Sequence, residues 1–254
     1  MGSGRIKVLG INASPRKYGN TYKLLEAALK GAEAEGAKTE LLNLYDYEIK
    51  PCEACLSDEQ NACRPPCMEC DDAWTVLRNV LESDGLVIAT PVYWYGPSGH
   101  LKNFIDKLTV FENMILVEGR SWLEGKVAGF IAAGAEAGAV MTIAYLMVVL
   151  NSMGVHVPPW ALAYYEGLGN ALDREESLMD AVNVGRVVTV AAKELKRVKI
   201  WYDSKILERL GGKENVVAEI EAKAGENEES QRERRAKLVK DMLAKDYKKY
   251  RIIE

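Results

Sequence analysis

Histidine is scarce in this chain, and neither its charges nor its hydrophobic residues show an extreme bias. The 254 residues include only His100 and His156, and we find no Ser/His/Asp or Cys/His arrangement that predicts a protein nucleophile. The net charge of -4 lacks the basic excess typical of proteins that bind nucleic acid or an anionic membrane. The longest apolar run, Ala137–Leu150, is too short for a membrane span, and no secretory signal is evident. We therefore expect a cytoplasmic protein with no nucleic-acid or membrane partner.

Strand-like and helix-like patterns alternate along the chain. This alternation predicts an α/β fold with a doubly wound, five-stranded parallel sheet, whose ligands bind beyond the carboxyl ends of the strands. We expect chemistry after Ile11, Thr90 and Ala133. The predicted strands are Ile6–Ile11, Thr39–Leu44, Gly85–Thr90, Val127–Ala133 and Val155–Val157. The predicted helices are Thr21–Glu35, Ala73–Ser83, Gly99–Phe111, Gly138–Met153 and Ala181–Arg197.

Two segments depart from this alternation and set the predicted domain boundaries. Residues 50–72 form a long cysteine-rich loop within a ligand-binding domain that covers residues 1–197. Residues 198–254 form a charged extension, in which Gly225 should separate helices at Glu214–Ala224 and Glu229–Tyr247. Such a charged extension is typical of solvated helices that pack on the body or on a second subunit.

The turn after the first strand, "SPRKYGNT" at residues 14–21, combines polar side chains with a glycine. Hydroxyls, an amide and a cation at a helix N-terminus predict a phosphate site, because the free N–H groups there favour an anion. Neither G-x-G-x-x-G nor G-K-[ST] occurs, so a mononucleotide is the favoured ligand. The alternative is that these residues only cap a helix. The candidate residues are Ser14, Arg16, Gly19, Asn20 and Thr21.

The turn after the third strand lies in "TPVYWYGPSGHLKNFIDK", residues 90–107. Three aromatic residues between rigid prolines suit a flat ring, and a flavin mononucleotide (FMN) would supply both that ring and the phosphate. The alternative is that these aromatic residues serve packing alone. His100 lies beside this turn and could assist proton delivery, although a histidine on a helix surface is the more ordinary interpretation. The candidate residues are Pro91, Val92, Tyr93, Trp94, Tyr95 and Gly96.

All five cysteines lie in the loop at residues 50–72. They form one C-x2-C pair at Cys52 and Cys55, a single Cys63, and a second pair at Cys67 and Cys70. Several thiolates on one loop predict a metal, and spacing alone allows either zinc or an iron-sulfur cluster. A flavin nearby favours a cluster, because both groups exchange electrons whereas zinc would add only rigidity.

The two turns together, "GINASPRKYGNT" and "ATPVYWYGPSGHLKNFIDK", resemble the flavodoxin-like NAD(P)H-dependent FMN reductase family over about the first two-thirds of the chain. The resemblance implies a flavodoxin-like fold, with the FMN phosphate at Ser14, Arg16, Asn20 and Thr21 and the ring against residues 91–96. A third matching segment, "AAGAEAG", implies that Gly134, Ala135 and Glu136 complete the ring pocket. Members of the family are typically homodimers or homotetramers, with the flavin near a subunit interface.

Within that family, the cysteine loop is similar to that of the iron-sulfur flavoproteins, which implies a [4Fe-4S] cluster. Their usual pattern is C-x2-C-x2-C followed by a fourth cysteine, whereas seven residues separate Cys55 from Cys63 here. Cys52 and Cys55 are the expected ligands. Anchoring the comparison on Asp71-Asp72 selects Cys63 and Cys67 as the others, whereas spacing alone selects Cys70 over Cys63.

Three functions remain open at this point. The first is an FMN-dependent oxidoreductase that passes electrons between a donor, reduced ferredoxin or NAD(P)H, and an acceptor through FMN and a [4Fe-4S] cluster. The second is an FMN or quinone reductase whose cysteine loop holds structural zinc. The third is a redox sensor or scaffold without enzymatic activity. For the first, catalysis resides in the flavin and no side chain is predicted as an acid or base.

Overall fold

A computed structural model describes residues 5–67, 71–196, 202–203 and 205–244. The chain forms two compact units, Met1–Tyr202 and Asp203–Glu254. The first contains a single five-stranded parallel sheet in the order β2-β1-β3-β4-β5. Its strands are β1 (Lys7–Asn12), β2 (Lys38–Asn43), β3 (Gly85–Pro91), β4 (Val127–Gly134) and β5 (Leu162–Glu166).

The strand order reverses between β1 and β3, and both of these strands are central in the sheet. This order is that of the flavodoxin-like fold, in which FMN binds at the β1/β3 switch point. It confirms the predicted fold class. The residues of β3 and β4 are almost all buried, as expected for parallel strands covered on both faces, which is why these strands read as apolar runs.

Helices cover both faces of the sheet and create two hydrophobic cores. The helices of the first unit are α1 (Asn20–Ala34), α2 (Ala73–Glu82), α3 (Gly99–Lys107), α4 (Thr109–Glu112), α5 (Met114–Glu118), α6 (Ala139–Ser152) and α7 (Glu175–Leu195). One core lies under α1 and α7, and the other under α2, α3 and α6. Added methyl groups at Gly31 and Gly185 would overlap the carbonyls of Val182 and Ala28, so these glycines allow α1 and α7 to pack closely.

The predicted position of the fifth strand is wrong. His156 makes an isolated bridge to Val127, whereas the strand itself is β5 at Leu162–Glu166. Two prolines, Pro158 and Pro159, follow the predicted strand and lack the N–H groups that a ladder needs. β5 is an edge strand with alternating exposure, so it lacks the continuous apolar run of the inner strands.

The second unit contains α8 (Ile206–Arg209) and α9 (Lys213–Leu243). The predicted break at Gly225 is wrong, because α9 continues through it. One glycine costs a helix only about 1 kcal/mol, which a long segment of good helix formers can offset.

Helix α7 begins six residues before the predicted Ala181. The predicted helix ends at Arg197 and Tyr247 lie outside the described residues. Within the described chain, no helix has both the length and the apolar character needed to cross a membrane.

Candidate functional site

The turn between β1 and α1 is held by a buried amide. Asn12 Nδ2 donates to Asn43 Oδ1 at 2.9 Å and to the carbonyl of Lys17 at 3.2 Å. Asn12 Oδ1 accepts from the N–H of Ser14 at 3.3 Å. Because Asn12 is fully buried, these bonds also satisfy groups that would otherwise be costly to remove from water. The shape of the turn is therefore set from the ends of the two neighbouring strands.

The start of α1 offers backbone donors. Its first residue is Asn20, and no side chain caps it by a hydrogen bond. Ser14 and Thr21 are almost fully buried beside this end of the helix, and Ser14 Oγ accepts from the N–H of Arg16 at 3.2 Å. An uncapped helix N-terminus with nearby hydroxyls has the donors and the partial positive charge that a phosphate needs.

Asn20 serves a structural purpose that its position in the sequence did not reveal. Its Nδ2 donates to the carbonyl of Gly169 at 2.8 Å, and its Oδ1 accepts from the N–H of Ala171 at 3.0 Å. Lys23 Nζ reinforces this contact by donating to Asn170 Oδ1 at 2.9 Å. The start of α1 is thus joined to the loop after β5, which brings a third loop to the same edge of the sheet.

The turn after β3 has an uncommon backbone conformation. Tyr93 and Gly96 exchange two backbone hydrogen bonds, of 2.9 and 3.1 Å, and enclose Trp94 and Tyr95. The φ angles of Trp94 and Tyr95 are 51° and 65°, a left-handed region that bulky residues seldom adopt. Such strain persists only where the surroundings impose it, and it often marks a functional site.

Ser98 connects the first two turns. Its Oγ donates to the carbonyl of Ala13 at 2.8 Å, and its N–H donates to Thr90 Oγ1 at 3.1 Å. The same Oγ caps α3 by accepting from the N–H of Leu101 at 3.3 Å. One fully buried hydroxyl therefore fixes the turn after β3 relative to the turn after β1.

His100 has a structural position. Its Nε2 lies 3.0 Å from the carbonyl oxygens of both Leu44 and Tyr47, and its ring contacts that of Tyr45 at a centroid distance of 4.7 Å. His100 therefore joins the start of α3 to the segment after β2, a contact that neither interpretation from the sequence included.

The exit of β4 completes this edge of the sheet. The N–H of Val92 donates to the carbonyl of Ala133, and the N–H of Gly167 donates to the carbonyl of Gly134, both at 2.9 Å. Glu166 Oε1 accepts from the N–H of Ala139 at 3.0 Å at the start of α6. Backbone bonds therefore hold the loops after β3, β4 and β5 side by side.

These loops surround one cavity of about 300 Å³. Ten of the fourteen predicted cofactor residues line it, while Trp94, Tyr95, Gly96 and Glu136 lie outside its lining. Ala133, Gly167 and Leu168 line it without having been predicted. The sheet-edge rule would have indicated Gly167 and Leu168 if the fifth strand had been placed correctly. The predicted lining residues are Ser14, Arg16, Gly19, Asn20, Thr21, Pro91, Val92, Tyr93, Gly134 and Ala135.

This cavity has the features that FMN requires. Its lining combines the uncapped start of α1 with Pro91–Tyr93 and the exit of β4. The donors at α1 match a phosphate, and the apolar and backbone surfaces match a flat ring. The residues present therefore fit FMN.

Gly138 offers a test of the ring end of this cavity. Its φ of +103° is unfavourable for other residues, and a Cβ there would lie 2.8 Å from Tyr95 Cδ1 and 3.2 Å from Val92 Cγ1. A left-handed backbone conformation costs a residue with a side chain about 1–2 kcal/mol. Gly138→Ala should therefore displace the turn and weaken FMN binding by about tenfold or more. Fluorescence titration with FMN measures this effect. In the control Gly99→Ala, the added Cβ meets nothing within 4 Å. Equal FMN affinities for the two variants would contradict the prediction.

The cysteine loop is anchored where it leaves and rejoins the body. The N–H groups of Lys50 and Glu48 donate to Asp71 Oδ2 and Asp72 Oδ2, each at 2.9 Å. Further along the loop, Asn113 Nδ2 donates to the carbonyl of Cys63 at 2.8 Å. Asp71 and Asp72 thus hold the two ends of the loop together. Asn113, between α4 and α5, holds the middle of the loop.

Asp71 also forms a buried ion pair with Lys107. Lys107 Nζ lies 2.6 Å from Asp71 Oδ2, and both side chains are almost inaccessible to solvent. Burial acts to raise the pKa of Asp71, but hydrogen bonds from Lys107 and from the N–H groups of Ala73 and Lys50 outweigh it and lower the pKa below its usual value. Asp71 is therefore ionised at neutral pH and connects the loop firmly to the end of α3.

Four cysteines line a second cavity, of about 380 Å³, under this loop: Cys52, Cys55, Cys63 and Cys67. Burial, together with the nearby thiols of Cys52, Cys67 and Cys55, raises the pKa of the Cys63 thiol to about 11. No disulfide joins these four cysteines to one another. Cys70 lies outside the described residues.

The spacing of these cysteines bears on the metal. Among the described residues, no three His, Cys, Asp or Glu side chains converge tightly enough to hold a single ion. A zinc ion draws its sulfur ligands to about 2.3 Å from one point, whereas the four thiolates of a [4Fe-4S] cluster each bind a separate iron. The four thiols that line the cavity are of the residue type that zinc and iron-sulfur clusters both use.

Comparison with known proteins agrees with this geometry. Residues 6–166 match the family model described as NADPH-dependent FMN reductase. An iron-sulfur flavoprotein of Methanocaldococcus jannaschii is 32% identical over 204 residues, covering 76% of this chain and 100% of that protein. An iron-sulfur flavoprotein of Archaeoglobus fulgidus is 31% identical over 197 residues, covering 76% of this chain and 84% of that protein.

Solved structures support the fold. RosB, bound to 8-demethyl-8-formylriboflavin-5'-phosphate, superposes with a TM-score of 0.65 at 23% identity, covering 81% of this chain and 86% of RosB. An NADH:FMN oxidoreductase superposes with a TM-score of 0.53 at 24% identity, covering 76% of this chain and 91% of the other. At these identities, the likeness establishes the shared architecture.

Proposed function

Because the chain belongs to the NADPH-dependent FMN reductase family and is an FMN-dependent oxidoreductase, we propose that it is an iron-sulfur flavoprotein. It passes electrons between a reduced donor, ferredoxin or NAD(P)H, and an acceptor through FMN and a [4Fe-4S] cluster. The single observation that carries the proposal is the cavity lined by four cysteines within a flavodoxin-like fold. The names of the two archaeal relatives support the same assignment.

The cavity at the sheet edge binds FMN in this proposal. The start of α1, with Ser14, Arg16 and Thr21, holds the phosphate. The turn at residues 91–96 positions the ring, with residues 91–93 lining the cavity. The backbone bonds between Tyr93 and Gly96 hold this turn in shape beside the cavity. Bound FMN supplies the one-electron and two-electron chemistry.

Cys52, Cys55, Cys63 and Cys67 hold the cluster in this proposal. Their common cavity and the anchoring of Cys63 by Asn113 support these four ligands, and the family comparison anchored on Asp71-Asp72 leaves Cys70 spare. Helix α3 connects the two sites, because it follows the ring-binding turn and its last residues, Asp106 and Lys107, line the cysteine cavity. Nine helical residues span roughly 13 Å, so one short rigid element sets the separation of the two groups.

A reduced cytosol preserves these thiols, so we place the protein in the cytoplasm. We also propose that it assembles as a homodimer or homotetramer through α6. This helix is apolar on nearly all sides, and Val140, Met141 and Val148 are exposed. Light scattering of the purified protein measures the mass of the assembly.

Purification under anaerobic conditions tests the proposed function. We expect flavin absorbance bands with a broad iron-sulfur shoulder, about four irons and four sulfides per chain, and extractable FMN. Flavin with zinc and no iron would identify a reductase with a structural zinc loop, and a colourless protein would contradict both assignments. Reconstitution with iron, sulfide and FMN under the same conditions must accompany any negative result.

A further inference from the structure

Helix α9 carries exposed apolar side chains near each of its two ends. No residue of this 31-residue helix is buried among those whose side chains are described. Val217, Ile220, Leu238 and Met242 are all exposed, and helical periodicity places them on one face. The first two lie near the start of the helix and the last two near its end. Spacings of three and four residues between such positions are typical of helices that pair.

The charges on α9 are strongly segregated along its length. Residues 213–230 contain six acidic and two basic residues, which gives a net charge of -4. Residues 231–243 contain five basic and two acidic residues, which gives a net charge of +3. The helix therefore has an acidic half and a basic half, each with its own apolar pair.

This arrangement defines both the partner and its orientation. Two copies of α9 side by side in parallel would bring like charges together in both halves. An antiparallel pair would instead place each acidic half against a basic half and each apolar pair against the other. We propose that α9 binds α9 of a second copy of this chain in an antiparallel pair.

The charges nearest the apolar face strengthen this orientation. Helical periodicity places Glu214 and Glu221 beside the face in the acidic half. In the basic half it places Arg234 beside the face and Arg235 on it, in line with Val217. Charges that flank a helix seam select partner and orientation. The antiparallel pair that matches the apolar pairs sets Glu221 near Arg235 of the second copy, within about one helical turn.

Photo-crosslinking of the full-length protein tests the pair. Val217→p-benzoylphenylalanine should crosslink to residues 231–243, which the pair brings close. Within one helix Val217 and Leu238 are roughly 32 Å apart, so this product can only join two chains. The matched control is Ala222→p-benzoylphenylalanine, on the opposite face of the helix, which should give little of it. Crosslinks to residues 213–225 of a second chain, crosslinks only to residues 1–202, or no crosslink between chains would each overturn the proposal.

Charge reversal supplies an independent test. The double variants E214R/E221R and R234E/R235E should each reduce the crosslink yield by roughly tenfold. The first brings the acidic half to a net charge of 0 and the second brings the basic half to -1, which removes the attraction at both ends of the pair. A mixture of the two variants should restore the yield, since each reversed half then meets its complement. A yield that is insensitive to both variants, or no recovery on mixing, would exclude the charge-selected pair. Flavin and iron content should stay unchanged in both variants, so failure of the pair is distinguishable from failure of the proposed function.

Discussion

Cys63→Ala should remove the iron-sulfur absorbance while FMN remains bound. Cys63 lines the cavity with three other cysteines and is held in place through its carbonyl by Asn113. Loss of one thiolate leaves an iron without its protein ligand, so the cluster should be lost almost completely. FMN binds through other loops and should stay near one per chain. Iron analysis and absorbance of the anaerobically purified variant measure both quantities.

Cys70→Ala is the matched control for this variant. It makes the same substitution in the same loop, at a cysteine that the proposed ligand set leaves out. We expect iron content and absorbance close to those of the unaltered protein. Loss of the cluster in Cys70→Ala together with its retention in Cys63→Ala would reverse the assignment and support the choice that spacing alone makes.

Ser14→Asp should weaken FMN binding by on the order of 100-fold to 1000-fold. Ser14 is almost fully buried at the start of α1, and its Oγ accepts from the N–H of Arg16, a bond that an aspartate can also accept. The fold should therefore tolerate the change. Two like charges about 4 Å apart near a protein surface repel by roughly 4 kcal/mol, and each 1.4 kcal/mol is tenfold in affinity. Fluorescence titration with FMN measures the loss.

Riboflavin provides the control, because it carries the same ring without the phosphate. Its affinity for Ser14→Asp should change little, since the new carboxylate has no phosphate to repel. Ser14→Ala, which removes a hydroxyl without adding charge, should cost FMN only about tenfold. If riboflavin and FMN lose affinity equally in Ser14→Asp, the phosphate does not lie at the start of α1.

Much of the fold could be predicted because its inner strands are buried on both faces. β1, β3 and β4 therefore read as apolar runs, and the rule for parallel sheets then places the turns after them at one edge. β5 was misplaced because an edge strand alternates its exposure and resembles a loop in sequence. The misplacement also concealed Gly167 and Leu168, which follow β5 and line the cavity.

Other parts of the site depend on partners that are distant in sequence. Asn20 bonds a loop almost 150 residues away, so nothing near it indicates that part of its role. The cysteine spacing did not decide between Cys63 and Cys70 as a ligand. The path of the loop also depends on the contacts of Asp71 and Asn113, which the spacing does not show. Gly225 indicated a helix break, but the local cost of one glycine was smaller than the helix propensity around it.

The bonds of Ser98 have an evolutionary consequence. This residue is absent from the lining of either cavity, yet its hydroxyl joins the turns after β1 and β3 and caps α3. Few side chains combine this size with both a donor and an acceptor. We therefore expect few substitutions of Ser98 to be tolerated in related sequences. In a survey of variants, Ser98 would tolerate substitution as poorly as a residue that contacts the ligand. The reason would be that Ser98 aligns the two loops.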